Sequence, residues 1–551
     1  MIRDIIRLIR SFSQKERYLF YGAAVIFLAA LVASVTGGIY SNTKLEPAPG
    51  GEYTEGVVGQ PVAVNPILAG ASDIDRDLVR TMFADIISLS QNYSTSSAGK
   101  VWSVKLKQDL QWSDGAPLTA ADAVFTMNMI QNPDSGSPLQ ESWRGITIER
   151  ISDLEIRFTL KSPYAFFLDN LKSFYPAPEH IFKNVPAANL HLSDYNLEPV
   201  SSGPYKFVSY EKQKSGLISE YHLEKNSLFS GTAPLIGRLN FTFFTNYNDA
   251  LLSFNNKNID GLGGFDPATA DELKINHQTR ELELPRYYAV FFNAGNNPVL
   301  KDASTRRALG LAVDKEALIR DVLSGSGEVA QGPLSPALQG YAADIYTDAR
   351  FSIEEAAALL EKNRWKKDDK GIYFRTTGKT SEILKFELIT PEIPFLVATA
   401  NNLKANWAKL GADVTVTVEP SQKIQEERIK SRNYEALLFG NVLRNSDLYS
   451  FWHSSQARSP GLNLASYQNT TVDNLLDSIR KNFNQDKRES DLKKIQQAIN
   501  NDRPAIFLFS PRYLYASPND LGGFTETFLL TPADRFNGIS NWFLRTNRVF
   551  K

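Results

Sequence analysis

The sequence predicts a large mixed α/β ectodomain of at least two lobes, carried behind one N-terminal membrane-spanning helix. Three observations lead there. The chain has 551 residues, too many for one ordinary core, since single cores stop growing at about 250–300 residues. Residues 18 to 43 carry no charge, and Tyr18 to Val35 ("YLFYGAAVIFLAALVASV") is almost wholly apolar. Beyond them, segments of helical apolar spacing alternate with segments of strand-like alternation, the mark of α/β organisation.

The N-terminal run comes first. At about 1.5 Å per residue, about 20 residues cross a hydrocarbon core of about 30 Å. Arg3, Arg7, Arg10, Lys15 and Arg17 lie before or at its start, against only Asp4 and Glu16. That bias keeps residues 1–17 cytoplasmic and places the chain beyond residue 40 outside. We therefore expect an anchor at 18–40 and a stalk at 41–50, within "SNTKLEPAPGGE". The rival reading is a cleaved signal peptide, but the run is long for one and no clean Ala-x-Ala site follows it.

After the stalk, "EYTEGVVGQPVAVNPIL" reads as a short strand entering a Pro-punctuated loop. In "DIDRDLVRTMFADIISL", Ile74, Leu78 and Met82 recur at helical spacing. "VWSVKLK" alternates as a strand, and "LTAADAVFTMNMI" is a helix capped by Thr119 with Asp122 in its first turn. "LEIRFTL", "SSGPYKFVSYE" and "LNFTFF" add strands, and residues 250–330 alternate helix, strand and helix. Further on, helical stretches such as "SIEEAAALLEKNRW" and "ESDLKKIQQAINN" enclose the strands "KFELIT", "DVTVTV" and "EALLFG". "RPAIFLFSPRYLYAS" is strand-like again.

Composition removes several function classes. Hydrophobic residues at 42% and aromatics at 11% build a packed core rather than a disordered chain. With 60 basic and 61 acidic side chains the net charge is −1, which gives no electrostatic case for nucleic acid. No cysteine is present, so disulfides, thiol chemistry and an acylated-cysteine anchor are excluded. The five histidines (His180, His191, His222, His277 and His453) form no His-Glu-x-x-His pair. "LSGSGE" lacks the spacing of a nucleophile elbow, and "GLGGF" is a turn rather than a dinucleotide fingerprint. No catalytic residue, cofactor or metal site is expected.

Several motifs in order resemble the family 5 extracellular solute-binding proteins, the receptors of peptide and nickel ABC importers. "VWSVKLKQDLQWSDGAPLTAADAVFTMNMI" (Val101 to Ile130) is similar to that family's signature. "YYAVFFNAGNNPVLKDASTRRALGLAVDKEALI" (Tyr287 to Ile319) matches a second block, and "SSGPYKF" a third. "SDLYSFWHSSQ", "GLNLASYQNTTVDNLL" and "DRPAIFLF" look like its C-terminal blocks. The resemblance implies a two-lobed periplasmic-binding-protein type II fold with an extra subdomain in lobe I. Lobe I would span 51–290 with the subdomain at about 90–185, lobe II would span 291–505, and 506–551 would return to lobe I. The loop at Asn293 would follow a strand through the hinge, and the helix opened by Asp302 would begin lobe II. Arg306 and Arg307 would anchor that helix by salt bridges. The resemblance further implies a monomer that binds peptides or another small solute extracytoplasmically and meets a transporter permease.

Two departures stand out. Only "SQNYSTSSAGK" remains where the family carries a longer stretch and a strand before the signature. Better-known peptide receptors place an acid shortly before a Ser-Phe pair to hold the peptide ammonium; counting back from Ser450-Phe451 lands on Arg444, with Asp447 three residues later. The loop Gly440 to Gln456 follows the strand "EALLFG", at a strand's C-terminal end where α/β folds place ligands. Within it Asn441, Arg444, Asp447 and Trp452 gather an amide, a cation, an anion and an indole. Asp447 would take an ammonium or amide, Arg444 a carboxylate or carbonyl, and Trp452 would form an apolar wall. The same residues also suit a plain structural role, with Asp447 and Arg444 pairing or capping and Trp452 packing in lobe II.

Overall fold

The computed structural model describes residues 11–70, 72–96, 98–347, 350–377 and 380–551. Arg3, Asp4, Arg7 and Arg10 therefore lie outside the described residues. Gln14–Asn42 is a 29-residue helix opened by a capping box between Ser13 and Glu16, and none of its residues is buried. It is the one helix among the described residues long and apolar enough to cross a membrane.

The segment read as a stalk is a strand. Thr43–Ala48 pairs antiparallel with the C-terminal strand Arg545–Phe550, Thr43 facing Phe550. Lys551 Nζ donates to the Ser41 carbonyl at 2.8 Å, and the Arg548 guanidinium lies 3.9 Å from the centre of the Tyr40 ring. Pro47 and the following Gly-rich turn hid this pairing, because nothing local reveals a partner some 500 positions away.

Two large sheets define two lobes. The first has seven strands in the order 278–282, 513–517, 261–263, 52–58, 238–244, 218–225 and 205–212. The second has six, in the order 327–329, 505–511, 286–292, 436–442, 385–391 and 413–419. In the second sheet Ala289 and Phe291 face one apolar cluster while Val290 and Phe292 face another. A strand buried on both faces reads as a continuous apolar run, which is why "YYAVFF" shows no alternation.

The chain crosses between the sheets twice, at residues 283–285 and at Arg512. Arg286–Phe292 and Ala505–Pro511 both pair within the second sheet, and Gln278–Leu282 and Tyr513–Ser517 both pair within the first. The return thus lies at 512 rather than 505, where Pro511-Arg512 breaks an otherwise continuous run. The subdomain is a four-stranded sheet of 90–95, 101–106, 155–159 and 147–152. The shortened stretch still supplies its edge strand, Ser90–Thr95, which pairs with Val101–Leu106. Its residues are mostly exposed and polar, so it carried no apolar alternation to read.

The motif Tyr287 to Ile319 is structural throughout. Asn293 Nδ2 donates to the Arg432 carbonyl, Asn296 Nδ2 to the Tyr434 carbonyl and Asn297 Nδ2 to the Lys385 carbonyl. The asparagines are there to satisfy backbone groups of neighbouring segments. Asp302 caps Ala303–Leu311 and pairs with Arg375 at 2.9 Å. Arg306 anchors the helix through carbonyls rather than acids: those of Leu300, Lys301 and Arg503 at 2.6–2.9 Å, and that of Asp502.

Lobe I is tied by one buried cation. Arg535 reaches Glu55 on the strand Glu52–Val58 at 2.9 Å and Asp77 on the helix Asp73–Met82 at 2.6 Å, all three at most 5% exposed. Tyr515 donates to the same Glu55 at 2.8 Å. Gly261 is required opposite, because a Cβ there would overlap the Glu55 carboxylate and the Tyr53 and Tyr515 hydroxyls. Burial pushes both carboxyls above their ordinary range, against the pull of Arg535. Removing one partner of such a group strands the others, at about 3–5 kcal/mol. Arg535→Ala should lower the unfolding free energy of lobe I, read from urea denaturation, by that much; an unchanged midpoint and slope would show that the charges are not held by this contact.

Candidate functional site

The lobes meet at a seam built from the loop after Ala436–Val442 and the end of the subdomain. Asp447 lies at its centre. Its carboxylate accepts from the Tyr164 hydroxyl at 2.9 Å and lies 3.2 Å from Arg480 Nε. The Arg480 guanidinium stacks on the rings of Tyr449 and Tyr164, 4.3 and 5.1 Å from their centres. Beside it Asn445 Nδ2 donates to Asp169 at 3.0 Å, and the Ala165 amide donates to the Arg480 carbonyl at 2.7 Å. Tyr164, Ala165 and Asp169 come from the subdomain, whereas Asn445, Asp447 and Arg480 belong to lobe II. Phe166 packs against lobe II's core and Phe483 against Trp102 of the subdomain. The two lobes are therefore shut on each other along this seam.

The local chain sets these side chains up. Asn445 Oδ1 accepts from the Asp447 amide and Asp447 Oδ1 from the Tyr449 amide, successive turns that hold the loop's polar groups outward. The short helix Tyr449–Trp452 then starts, and Thr470–Lys481 presents Arg480 in its last turn. Burial raises the Asp447 carboxyl above its ordinary range, opposed by Arg480. Burial and the facing Asp447 carboxylate likewise push the Tyr164 phenol far up, so it stays a donor at any working pH.

The four residues singled out from the sequence part company here. Asn441 is buried and donates to the Tyr287 hydroxyl at 2.9 Å, its partner across the sheet. Trp452 is fully buried between Phe291, Tyr467 and Phe507, with ring centres 5.8–6.4 Å away. It fills lobe II's core and offers no wall to a cleft in this conformation, because Phe291, Tyr467 and Phe507 together enclose its ring. Asp447 is engaged by the other lobe. Arg444 is exposed and makes no hydrogen bond or ion pair with other described residues. Tyr164, Asp169 and Arg480 were missed, since only the fold brings positions 283 and 276 apart together.

A hydrogen bond to a charged group is worth about 1.5–3 kcal/mol, and every 1.4 kcal/mol is tenfold. Tyr164→Phe keeps the ring on Arg480 and deletes the bond to Asp447. The ligand-free variant should shift toward open forms by at least about tenfold, read as a longer interlobe distance in single-molecule fluorescence. An unchanged distance distribution would remove the seam from the control of closure.

The comparisons with known proteins agree with this architecture. The description "Bacterial extracellular solute-binding proteins, family 5 Middle" matches residues 88–461. The oligopeptide-binding protein AppA of Bacillus subtilis is 27% identical over 95% of this chain and 98% of its own. The structure of B. subtilis AppA in complex with a nonapeptide superposes with a TM-score of 0.69 at 25% identity, covering 91% of this chain and all of that one. The ABC transporter substrate-binding protein CtaP of Listeria monocytogenes gives a TM-score of 0.76 at 23% identity, over 90% and 99% of the two chains.

Proposed function

We propose that this chain, which belongs to the bacterial extracellular solute-binding proteins of family 5, is a membrane-tethered peptide receptor that serves an ABC importer. The seam at Asp447 carries the reading. Asp447, which lies beside Arg480 on lobe II, takes the Tyr164 hydroxyl and Asn445 takes Asp169 only when the subdomain meets lobe II, so the free energy of closure has a built element to act on. Similarity to AppA over nearly the whole length supports peptides as the ligand class. No step in this role requires a catalyst, and the receptor acts as a monomer with its C-terminal ectodomain outside the cell.

Arg444 gives the ligand polarity. It stands where the resemblance places an acid for a peptide ammonium, and it is exposed with no hydrogen bond or ion pair to other described residues. An anionic or carbonyl group of the ligand suits it. Asp447 acts through closure, with Asn441 and Trp452 holding the loop from behind. Ligands released by denaturing the full-length protein and identified by mass spectrometry should be peptides. Arg444→Ala should weaken their binding about fivefold to tenfold, as expected for a charged contact that water partly screens, with ligand-free stability unchanged. Recovery of only non-peptide solutes would overturn the ligand class, and unaltered affinity would overturn the role of Arg444.

The helix Gln14–Asn42 is proposed as an uncleaved anchor. At about 1.5 Å per residue its 29 residues exceed the roughly 30 Å of a hydrocarbon core. Full-length protein should remain with membranes after a carbonate wash. A mature N-terminus beginning after residue 35 would replace the anchor with a cleaved signal.

A further inference from the structure

We infer that Glu211, Glu220 and His222 form a divalent-metal site of the zinc class on the edge hairpin of the seven-stranded sheet. The hairpin joins Tyr205–Lys212 to Ile218–Lys225, with Glu211 paired directly opposite Glu220 and Ser209 opposite His222. Side chains two apart along a strand share a face, so His222 stands beside the two carboxylates. Their ligand atoms all lie within 4.8 Å of one another. His222 Nε2 is 3.5 Å from Glu220 Oε2 and 4.0 Å from Glu211 Oε1.

Two features ask for a cation. Like charges directly opposite on a ladder are destabilising, and neither glutamate has a lysine or arginine partner among the described residues. The imidazole is also oriented from behind. His222 Nδ1 lies 3.0 Å from Asn240 Oδ1, while Asn240 Nδ2 donates to Glu52. Glu52 only accepts, so the amide is fixed with its oxygen toward the ring, and Nδ1 must carry the proton. In the neutral ring Nε2 then turns a lone pair toward two carboxylates. A metal-bound histidine is held in just this way, its other nitrogen donating to an oriented oxygen.

Zinc takes nitrogen and carboxylate oxygen at about 2.0–2.2 Å, so neighbouring tetrahedral ligand atoms lie about 3.3 Å apart. The 3.5 Å spacing already fits, and the 4.0 Å spacing closes with a small rotation of the exposed Glu211 side chain. The fourth position is open to water. The site sits on the hairpin at one edge of the sheet, whereas the crossing strands Gln278–Leu282 and Tyr513–Ser517 lie at the other. Metal bound there would fasten the free edge hairpin and leave closure of the lobes untouched. Sequence spacing hid the site, since only the strand register brings Glu211 to the other two.

The test uses untagged full-length protein in detergent, stripped with chelator and titrated with Zn²⁺ by calorimetry and elemental analysis. One equivalent should bind and raise the melting temperature. His222→Ala and Glu211→Gln should each weaken binding at least tenfold, with peptide binding unchanged. Affinity should fall on acidification, because protons compete with the metal for its ligand atoms. Glu211 is exposed, so its variant reads the site even where His222→Ala folds poorly. Absence of bound zinc, or zinc retained equally by both variants, would overturn the assignment.

Discussion

The chain passes from one sheet to the other at only two places, and they lie side by side. Leu284, in the first crossing, accepts from Ser510 at the mouth of the second, and the Arg512 amide reaches the Ser326 carbonyl. Arg512 itself faces Glu281 of the first sheet, Glu283 of the crossing and Glu328 of the second sheet, at 3.4–3.7 Å. One cation among three acids keeps the two crossings adjacent while its long, loosely paired side chain tolerates rotation. Under the closure proposed above, these two adjacent strands would form the axis about which the lobes turn. Everything else that bears on function lies at a distance from that axis, where a small rotation becomes a large opening.

The seam at Asp447 is the complement of that hinge. Asp447 and Arg480 both belong to lobe II, so closure adds the Tyr164 hydroxyl to them and takes water away from their charges. Burial raises the Asp447 carboxyl even with Arg480 beside it, which means that the attraction does not wholly offset desolvation. A seam of this kind holds the lobes only weakly by itself. That suits a receptor, since a ligand can shift the balance between open and closed only if the empty protein is not already committed. Under the function proposed above, Arg444, exposed at the same loop, is the charge through which a ligand would make the difference.

How much of this could be read from the sequence follows from the range of each interaction. Local rules gave correct readings where the physics is local: Thr119 caps its helix with Asp122 in the first turn, and the two go further and form a capping box. The fully buried strand "YYAVFF" was readable by its apolar density. The loop 440–456 was legible as a loop leaving a strand's C-terminal end, yet the fates of its side chains were not. Whether Trp452 turns into a core or a cleft depends on Phe291, Tyr467 and Phe507, none of which is near it in sequence. Tyr164 and Arg480 carried no local mark at all. Ser90–Thr95 and Thr43–Ala48 escaped because an exposed edge strand has no buried face to leave an imprint.

The ribbon of Thr43–Ala48 with Arg545–Phe550 bears on which lobe moves. Both of its strands run directly into lobe I: the first into Glu52–Val58, the second from a segment held to that lobe by Arg535 and by the Leu235–Ser540 backbone bond. The apolar helix therefore connects to lobe I twice, through the N-terminal strand and through the returning C-terminus. Lobe II connects to it only through the crossings at 283–285 and 512. Under the tethering proposed above, lobe I is the fixed body at the membrane and lobe II is the one that swings. The seam residues Asp447 and Arg480 then travel with the moving lobe, while Tyr164 waits on the stationary one. Ligand would be met first by a surface whose orientation to the membrane is set by two strands rather than by a loose stalk.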